Sequence, residues 1–309
     1  MDRLRAQLLS VSVAVAIASI GIASGCGDSE HLMLAQTVEE RDLGETLMGA
    51  GSLPVFAPDG PGLIYLDAKQ ATRPVILRDE QGTSQRVLFH MFNSQLWDAS
   101  FHFGTLLFST PSGSGGQQIV EVYPDSVVRV RYSVPVGMDD LYASVSPDGG
   151  HMAFVRRAKA GSHSMRVLLR STDSGVSDTS LVVFQFTANP VSMAIHWTDD
   201  QNIIVTTWNG SPTESVKWQV VPSVKRLPAL PNTIGIGATP DPGSGRIASI
   251  LAGEVLLTAE DGTGNTTLTN SSSQKARLNW RQDGRAIVYI STTGSAPDRM
   301  KLLLLPPLK

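Results

Sequence analysis

The sequence is poor in the residues that mark several common classes of protein. It contains one cysteine in 309 residues, so it cannot form an internal disulfide bond. Lysine and arginine together number 25 against 28 aspartates and glutamates, which gives a net charge of −3. Nucleic-acid phosphates require a strongly basic surface, and this balance does not supply one. We therefore predict no nucleic-acid partner.

Motifs of catalysis and metal binding are also scarce. The pentapeptide Gly-x-Ser-x-Gly, which forms the nucleophile elbow of α/β-hydrolases, does not occur. The six histidines are scattered without the short spacings of a zinc site. Aspartates recur in turns, but one carboxylate per turn provides too few oxygen ligands for calcium. The sequence therefore predicts no metal site, no cofactor and no catalytic residues, and we expect a protein that is not an enzyme.

The amino terminus has the pattern of an export signal. Arg3 and Arg5 precede a charge-free apolar stretch over residues 8–22. At about 15 residues, this stretch is shorter than the roughly 20 of a membrane-spanning helix. It runs into Ala23-Ser24-Gly25-Cys26, which resembles the lipobox of bacterial lipoproteins, where small residues precede a cysteine that becomes lipidated.

The lipobox resemblance implies a location for the protein. Residues 1–25 would be a lipoprotein signal peptide, and Cys26 would carry acyl chains such as palmitate. We then expect an extracytoplasmic protein of the cell envelope that binds the membrane through its lipid anchor. The residue after the cysteine is Gly27, whereas an aspartate at this position would favour retention at the inner membrane. In a diderm host we therefore expect the protein at the periplasmic face of the outer membrane. The alternative is an ordinary signal peptide with an incidental cysteine.

One short pattern recurs along the rest of the chain. An apolar or aromatic residue at the end of a predicted strand is followed by an Asp-Gly turn. The pattern is clearest over Phe56–Gly60, Val145–Gly149 and Trp280–Gly284. Weaker copies complete a series in which the turn aspartate, or the residue in its place, lies at positions 59, 104, 148, 200, 241 and 283. Six units separated by 41 to 52 residues are typical of propeller blades.

Each unit contains short apolar strands separated by polar loops. One strand leads into the Asp-Gly turn, a second leaves it, and a third and usually a fourth follow. Four short antiparallel strands per unit make a propeller blade. We therefore predict an all-β fold, a six-bladed β-propeller with four-stranded antiparallel blades, over residues 51–309.

The predicted ring needs an amino-terminal strand to close it. The sixth unit supplies three strands, the last over residues 301–305, and an open ring would expose an unpaired edge. We therefore predict that residues 26–50 contain a tether and the closing strand. The apolar segment 31–36 is expected to pair outside 301–305, and the polar stretch 39–45 to form a crossing loop or a short helix.

The repeat resembles that of the TolB propeller, the periplasmic component of the Tol-Pal system, over roughly residues 50–309. Propeller domains of prolyl oligopeptidase-type peptidases share it. The resemblance implies a lipid-anchored, noncatalytic scaffold that recognises a cell-envelope protein or peptide through one propeller face. The alternative is a propeller enzyme, a lyase or hydrolase that acts on a small or carbohydrate ligand in the central pocket through His196, Asp139 and Asp140.

Two sets of residues are candidates for the binding site. Loops that enter the innermost strands build one face of a propeller, and they supply a candidate rim of aromatic, methionine and charged residues: Trp97, Asp98, Met138, Asp139, Asp140, Tyr142, Met193, Lys275 and Arg277. Small or polar residues of the innermost strands supply a candidate channel: Ser100, Ser144, His196 and Asn279. Alternatively, the rim residues cover the blade ends and the channel residues allow close packing of the blades.

The lipobox generates the first testable prediction. Replacement of Cys26 by Ser removes the thiol that carries the lipid, so we expect an unprocessed or membrane-detached protein. Membrane fractionation and intact-mass measurement check this outcome. Recovery of the Cys26→Ser protein in the membrane fraction with the same mass and acyl chains as the wild type would contradict it.

Overall fold

The computed structural model describes most of the chain from residue 38 onward. The described residues are 38–45, 54–57, 62–67, 74–90, 100–102, 105–113, 115–122, 128–130, 132–158, 164–172, 179–185, 192–208, 212–228, 230–231, 234–241, 244–294 and 298–306. They form strands joined by turns, and none of them belongs to a helix long and apolar enough to cross a membrane. Cys26 and the segment 31–36 lie outside the described residues.

Among the described residues, 24 strands form six antiparallel sheets of four strands each. In chain order the strands are β1 (Glu39–Glu45), β2 (Val55–Phe56), β3 (Gly62–Leu66), β4 (Pro74–Asp79), β5 (Gln85–His90), β6 (Ser100–His102), β7 (Thr105–Pro111), β8 (Gln117–Val122), β9 (Val128–Val130), β10 (Met138–Val145), β11 (His151–Ala158), β12 (Ser164–Ser171), β13 (Thr179–Gln185), β14 (Ser192–Trp197), β15 (Asn202–Trp208), β16 (Pro212–Gln219), β17 (Lys225–Arg226), β18 (Ile236–Pro240), β19 (Arg246–Leu251), β20 (Glu254–Ala259), β21 (Thr266–Thr267), β22 (Gln274–Trp280), β23 (Ala286–Thr292) and β24 (Arg299–Leu304).

The six sheets are the blades of one propeller. Blades 1 to 5 each take four consecutive strands, from β2–β5 to β18–β21, and blade 6 consists of β22, β23, β24 and β1. The innermost strands are β2, β6, β10, β14, β18 and β22, and each contacts the next around a closed ring. The predicted all-β, six-bladed architecture is confirmed.

Apolar clusters fill the spaces between neighbouring blades. Between blades 3 and 4, for example, Val155 of β11 packs with Ile195 and Trp197 of β14. Corresponding clusters occupy the other five blade junctions. Full burial of one aliphatic side chain contributes about 1.5–3 kcal/mol, so these junctions supply most of the stabilisation of the ring.

Blade 6 is completed by β1, which pairs antiparallel with β24. The prediction of an amino-terminal closing strand is therefore right. The prediction that residues 39–45 form a loop or helix is wrong, and so is the assignment of the closing strand to 31–36, because β1 occupies the outer edge of β24. An outermost strand is half exposed to solvent. Charges that complement those of the neighbouring strand therefore suit it better than a run of apolar residues does. Asp42 lies 2.7 Å from Arg299 and 3.1 Å from Lys301, while Leu43 is buried at the junction with blade 1.

Hydrogen bonds between turns join the blades at one face of the ring. The backbone N–H of Asp148 in blade 3 donates to the Asp200 carboxylate of blade 4 over 2.8 Å. Arg246 of blade 5 donates to its own turn residue Asp241 and to the carbonyl of Gly284 in blade 6. A Cβ on Gly284, which has φ of 66°, would lie 2.6 Å from Asp241 Oδ1. The Asp-Gly pattern therefore joins neighbouring blades as well as turning the chain.

Tryptophan side chains join the innermost strands of neighbouring blades. Trp197 Nε1 of blade 4 donates to the carbonyl of Ser144 in blade 3 over 3.0 Å. Trp280 Nε1 of blade 6 donates to the carbonyl of Thr239 in blade 5 over 2.8 Å. Thr239 therefore corresponds to Ser144 in register.

The pairing of β1 with β24 generates the second prediction. A chain that begins at Thr46 lacks β1 and exposes the edge of β24, so we expect its melting temperature to fall by roughly 10 °C or more and its aggregation to increase. A chain that begins at Val38 keeps β1 and serves as the control. Calorimetry and light scattering check both, and equal melting of the two chains would show that the ring closes without β1.

Candidate functional site

The two adjacent carboxylates of the predicted rim are neutralised within blade 3. Asp140 forms two hydrogen bonds with Arg156, at 2.7 and 2.8 Å. Asp139 lies 3.0 Å from Arg157 and accepts the backbone N–H of Gln117 in blade 2. Both carboxylates are buried, and each is held by a different arginine of β11. They do not form the paired acid and base that the alternative enzyme mechanism required.

Two other predicted rim residues belong to the blade junctions. Met193 is fully buried among the apolar side chains between blades 3 and 4. Lys275 is buried, and its ammonium lies 2.9 Å from Glu254 of blade 5 and donates to the carbonyl of Ser271. Met138 is half-buried at the start of β10. For Met193 and Lys275, the geometry is that of groups that join blades.

Three innermost strands contain a bulge at the same position. The residues in the bulges, Tyr142 of β10, Gly237 of β18 and Arg277 of β22, all have positive φ, at 56°, 69° and 62°. Glycine adopts this conformation freely, whereas other residues lose about 1–2 kcal/mol each. Strained backbone of this kind is often found at functional sites, where a bulge re-aims a side chain.

Tyr142 and Arg277 come from blades on opposite sides of the ring, blades 3 and 6. Their side chains nevertheless interact electrostatically: burial lowers the pKa of the Arg277 guanidinium, and the phenol of Tyr142 opposes that change. Tyr142 is buried and belongs to the apolar cluster between blades 3 and 4, and Arg277 is half-buried.

A set of polar side chains lies at one register level of the innermost strands. Ser144, His196 and Asn279 each stand one position before the last residue of β10, β14 and β22, and all three are half-buried. Thr239 holds the same position in blade 5 and is buried. Hydroxyl, imidazole and carboxamide groups from three blades therefore lie at one level of the innermost strands.

His196 is uncharged at neutral pH. Burial lowers the pKa of its imidazole from the ordinary value of 6.5 to about 4. A neutral imidazole can donate one hydrogen bond and accept another. His196 therefore offers both functions to a molecule in the channel.

The remaining predicted residues are described incompletely. Trp97 and Asp98 lie outside the described residues, and Ser100 lies in β6 with its backbone alone described. Sequence reasoning placed Tyr142 at the rim, whereas its side chain belongs to the apolar cluster between blades 3 and 4. Within the described ranges, no group of three or more His, Cys, Asp or Glu side chains could hold a metal ion.

Solved structures with the same architecture include proteins of several activities. A gluconolactonase from Xanthomonas campestris matches with a TM-score of 0.64 and 15% identity, over 91% of this chain and 94% of its own. TolB from Acinetobacter baumannii matches with a TM-score of 0.55 and 15% identity, over 84% of this chain and 65% of its own. An oligogalacturonate lyase from Vibrio parahaemolyticus gives a TM-score of 0.54 at 10% identity, over 89% and 96%.

These identities show a common fold, that of six-bladed β-propellers, and nothing finer. No protein-family model matches the chain, and no curated protein matches it in sequence. The predicted structural likeness to TolB is confirmed. The prediction that the chain is not an enzyme is contradicted, because its structural neighbours include a gluconolactonase and an oligogalacturonate lyase. The absence of Gly-x-Ser-x-Gly argues against an α/β-hydrolase. It does not argue against catalysis by residues of the propeller itself.

The lowered pKa of the His196 imidazole generates the third prediction. Between pH 6.5 and about 4 the unfolded chain binds a proton at this histidine and the folded protein does not, so stability falls as the pH drops through this window. His196→Asn removes this contribution, and Asn279 shows that asparagine fits the same register position in blade 6. We expect the variant to lose less unfolding free energy than the wild type between about pH 7 and about pH 5 in urea titrations.

His90→Asn, at an exposed histidine of β5, is the control and should behave as the wild type. Equal pH dependence in all three proteins would contradict the prediction.

Proposed function

We propose that this protein is a small-molecule propeller that binds a hydroxyl-rich ligand in its central channel and acts on it. The observation that carries the proposal is the set of half-buried polar side chains, Ser144, His196 and Asn279, which three blades supply at one level around the axis. Ligand sites of this kind combine an enclosing wall with a few polar groups that fix orientation.

The chemistry of the three side chains favours a polyhydroxylated ligand. Each of them both donates and accepts hydrogen bonds, as the hydroxyl groups of a sugar do. Among the three side chains, His196 has a nitrogen that can accept a proton, because its imidazole is in the neutral form over the physiological pH range. The structural likeness to a gluconolactonase and to an oligogalacturonate lyase supports a sugar-derived substrate.

Recognition of a protein partner is a second candidate. Val136, in the loop that enters β10, is 85% exposed and lies next to half-buried Met138. An exposed apolar group beside a methionine suits a protein-binding face. The structural likeness to TolB supports this candidate.

An envelope location is proposed on the sequence alone. The lipobox-like run that ends at Cys26 would anchor the propeller to a membrane through lipid. Its test is the Cys26→Ser experiment, and its outcome is independent of what the channel binds.

The fourth prediction tests the channel. We expect sugars, sugar acids or sugar lactones to raise the melting temperature of the wild type, since a ligand that binds the folded state stabilises it. Asn279→Ala removes one hydrogen-bonding group and should weaken binding about threefold to tenfold, as measured by calorimetry. His196→Asn should abolish turnover while binding persists.

Gln85→Ala provides the matched control for this experiment. It removes a carboxamide from the exposed outermost strand of blade 1, far from the axis. Binding and turnover should equal those of the wild type. A ligand whose binding survives Asn279→Ala unchanged does not occupy the channel, and that result would reject the proposal.

A further inference from the structure

An exposed valine stands at the tip of a turn where the chain passes from blade 2 to blade 3. Val136 is 85% exposed, whereas Val134, two residues earlier, is buried. The N–H of Met138 donates to the carbonyl of Pro135 over 3.1 Å, and Gly137 has φ of 76°. These are the hydrogen bond and the backbone conformation of a type II turn. The turn therefore holds one apolar side chain in solvent at a defined position.

A row of three charges crosses the same end of blade 3. Asp140 of β10 pairs in register with Arg156 of β11, and Arg156 pairs in register with Arg166 of β12. Two hydrogen bonds join Asp140 to Arg156, so these two charges neutralise each other. Arg166 is exposed and has no ion-pair partner among the described residues. Like charges directly across a pair of strands repel each other, so the fold gains nothing from a second arginine at this position.

The valine and the unpaired arginine lie at the groove between blades 2 and 3. Arg156 lies over the ring of Phe154, which belongs to the apolar cluster between these blades. Arg166 is directly across from Arg156 and shares its face of the sheet. Tyr132, four residues before Val136, packs against the same cluster. From the spacings of strands and residues, Arg166 lies about 12 Å from the start of β10, where the turn ends.

The surface of this groove is positively charged. Asp140 and Glu121, the two acids on its described walls, are both buried. Arg166 on the blade 3 wall and Arg129 on the blade 2 wall are exposed. The described walls carry four arginines in all: Arg129, Arg156, Arg166 and Arg170. The charge of the groove therefore complements that of an acidic group.

We propose that Val136 and Arg166 form a docking site for an acidic segment of a partner protein. The planar guanidinium of Arg166 offers two parallel N–H donors to a carboxylate, and an apolar side chain of the same segment packs on Val136. This inference rests on the second candidate function, recognition of a protein, because it names the chemistry of the partner. It is independent of any ligand in the central channel.

A protein segment fits this site better than a membrane surface does. Anionic lipid headgroups would be bound by positive charge alone, whereas this site also presents an apolar side chain on a turn. Half-buried Met138 lies beside Val136. Methionine and arginine are both enriched at protein interfaces relative to the rest of the surface.

The fifth prediction is tested with a random dodecapeptide library displayed on phage and selected on the immobilised protein. Peptides enriched by the wild type should be acidic, with Asp or Glu beside an apolar residue. Arg166→Glu should lose this preference for acidic peptides, because it replaces an attracting charge with a repelling one. In calorimetry, the most enriched peptide should bind Arg166→Glu at least about tenfold more weakly than the wild type, and Val136→Ser about threefold to tenfold more weakly.

Matched controls come from β5, the outermost strand of blade 1. Arg86→Glu makes the same change of charge at an exposed arginine, and Val87→Ser removes an apolar side chain that is 50% exposed. Both variants should select and bind the same peptides as the wild type. All four substitutions alter exposed side chains, so the melting temperatures should stay within a few °C of the wild type. A clear fall for Arg166→Glu or Val136→Ser would assign that side chain to folding, which contradicts the inference.

The remaining outcomes separate this inference from the candidate functions. Enriched peptides that lack acidic residues, and that bind Arg166→Glu as well as the wild type but not Val136→Ser, would leave protein recognition standing and reject an acidic partner. Enrichment of no peptide over a blank surface rejects the docking site together with the second candidate function. If, in that case, vesicles of phosphatidylglycerol bind the wild type and not Arg166→Glu, the arginine serves a membrane surface instead. None of these results bears on the channel, which Asn279→Ala tests separately.

Discussion

The whole molecule depends on the pairing of β1 with β24. Each blade of a propeller buries its two faces against its neighbours, so the ring has no free apolar surface only when blade 6 meets blade 1. The charges of β1 and β24 fix the register of that pairing, and Leu43 adds buried apolar surface at the junction. Arg281 of blade 6 also reaches the buried Glu80 of blade 1 over 2.5 Å, which strengthens the same junction.

Closure leaves the innermost strands as the place where function can vary. The second and third strands of each blade are constrained by apolar packing on both sides, and the turns by hydrogen bonds between blades. The innermost strands have one edge directed at the axis, where no further strand pairs with them. The polar residues Ser144, His196 and Asn279 and the bulges of β10, β18 and β22 all lie in these strands.

The charged residues of the predicted rim illustrate how burial changes the role of a side chain. Asp139, Asp140 and Lys275 read from the sequence as exposed binding groups, yet each is buried with an opposite charge close by. Removing one partner from such a pair leaves a buried charge without its counter-charge, which is strongly destabilising. In these three residues a buried ion pair therefore serves the structure of the blades.

The sequence by itself determined the number of blades, the turn pattern and the identity of the polar inner-strand residues, because strand alternation and Asp-Gly turns are local signals. It could not determine that residues 39–45 close the ring, since the pairing joins segments about 260 positions apart and depends on charges at Asp42, Arg299 and Lys301. Nor could it show that Asp139, Asp140 and Lys275 are buried beside opposite charges, because those charges lie on other strands or blades. Strand periodicity specifies the face of the sheet on which a side chain lies. Only the tertiary structure determines which residues pack against that face.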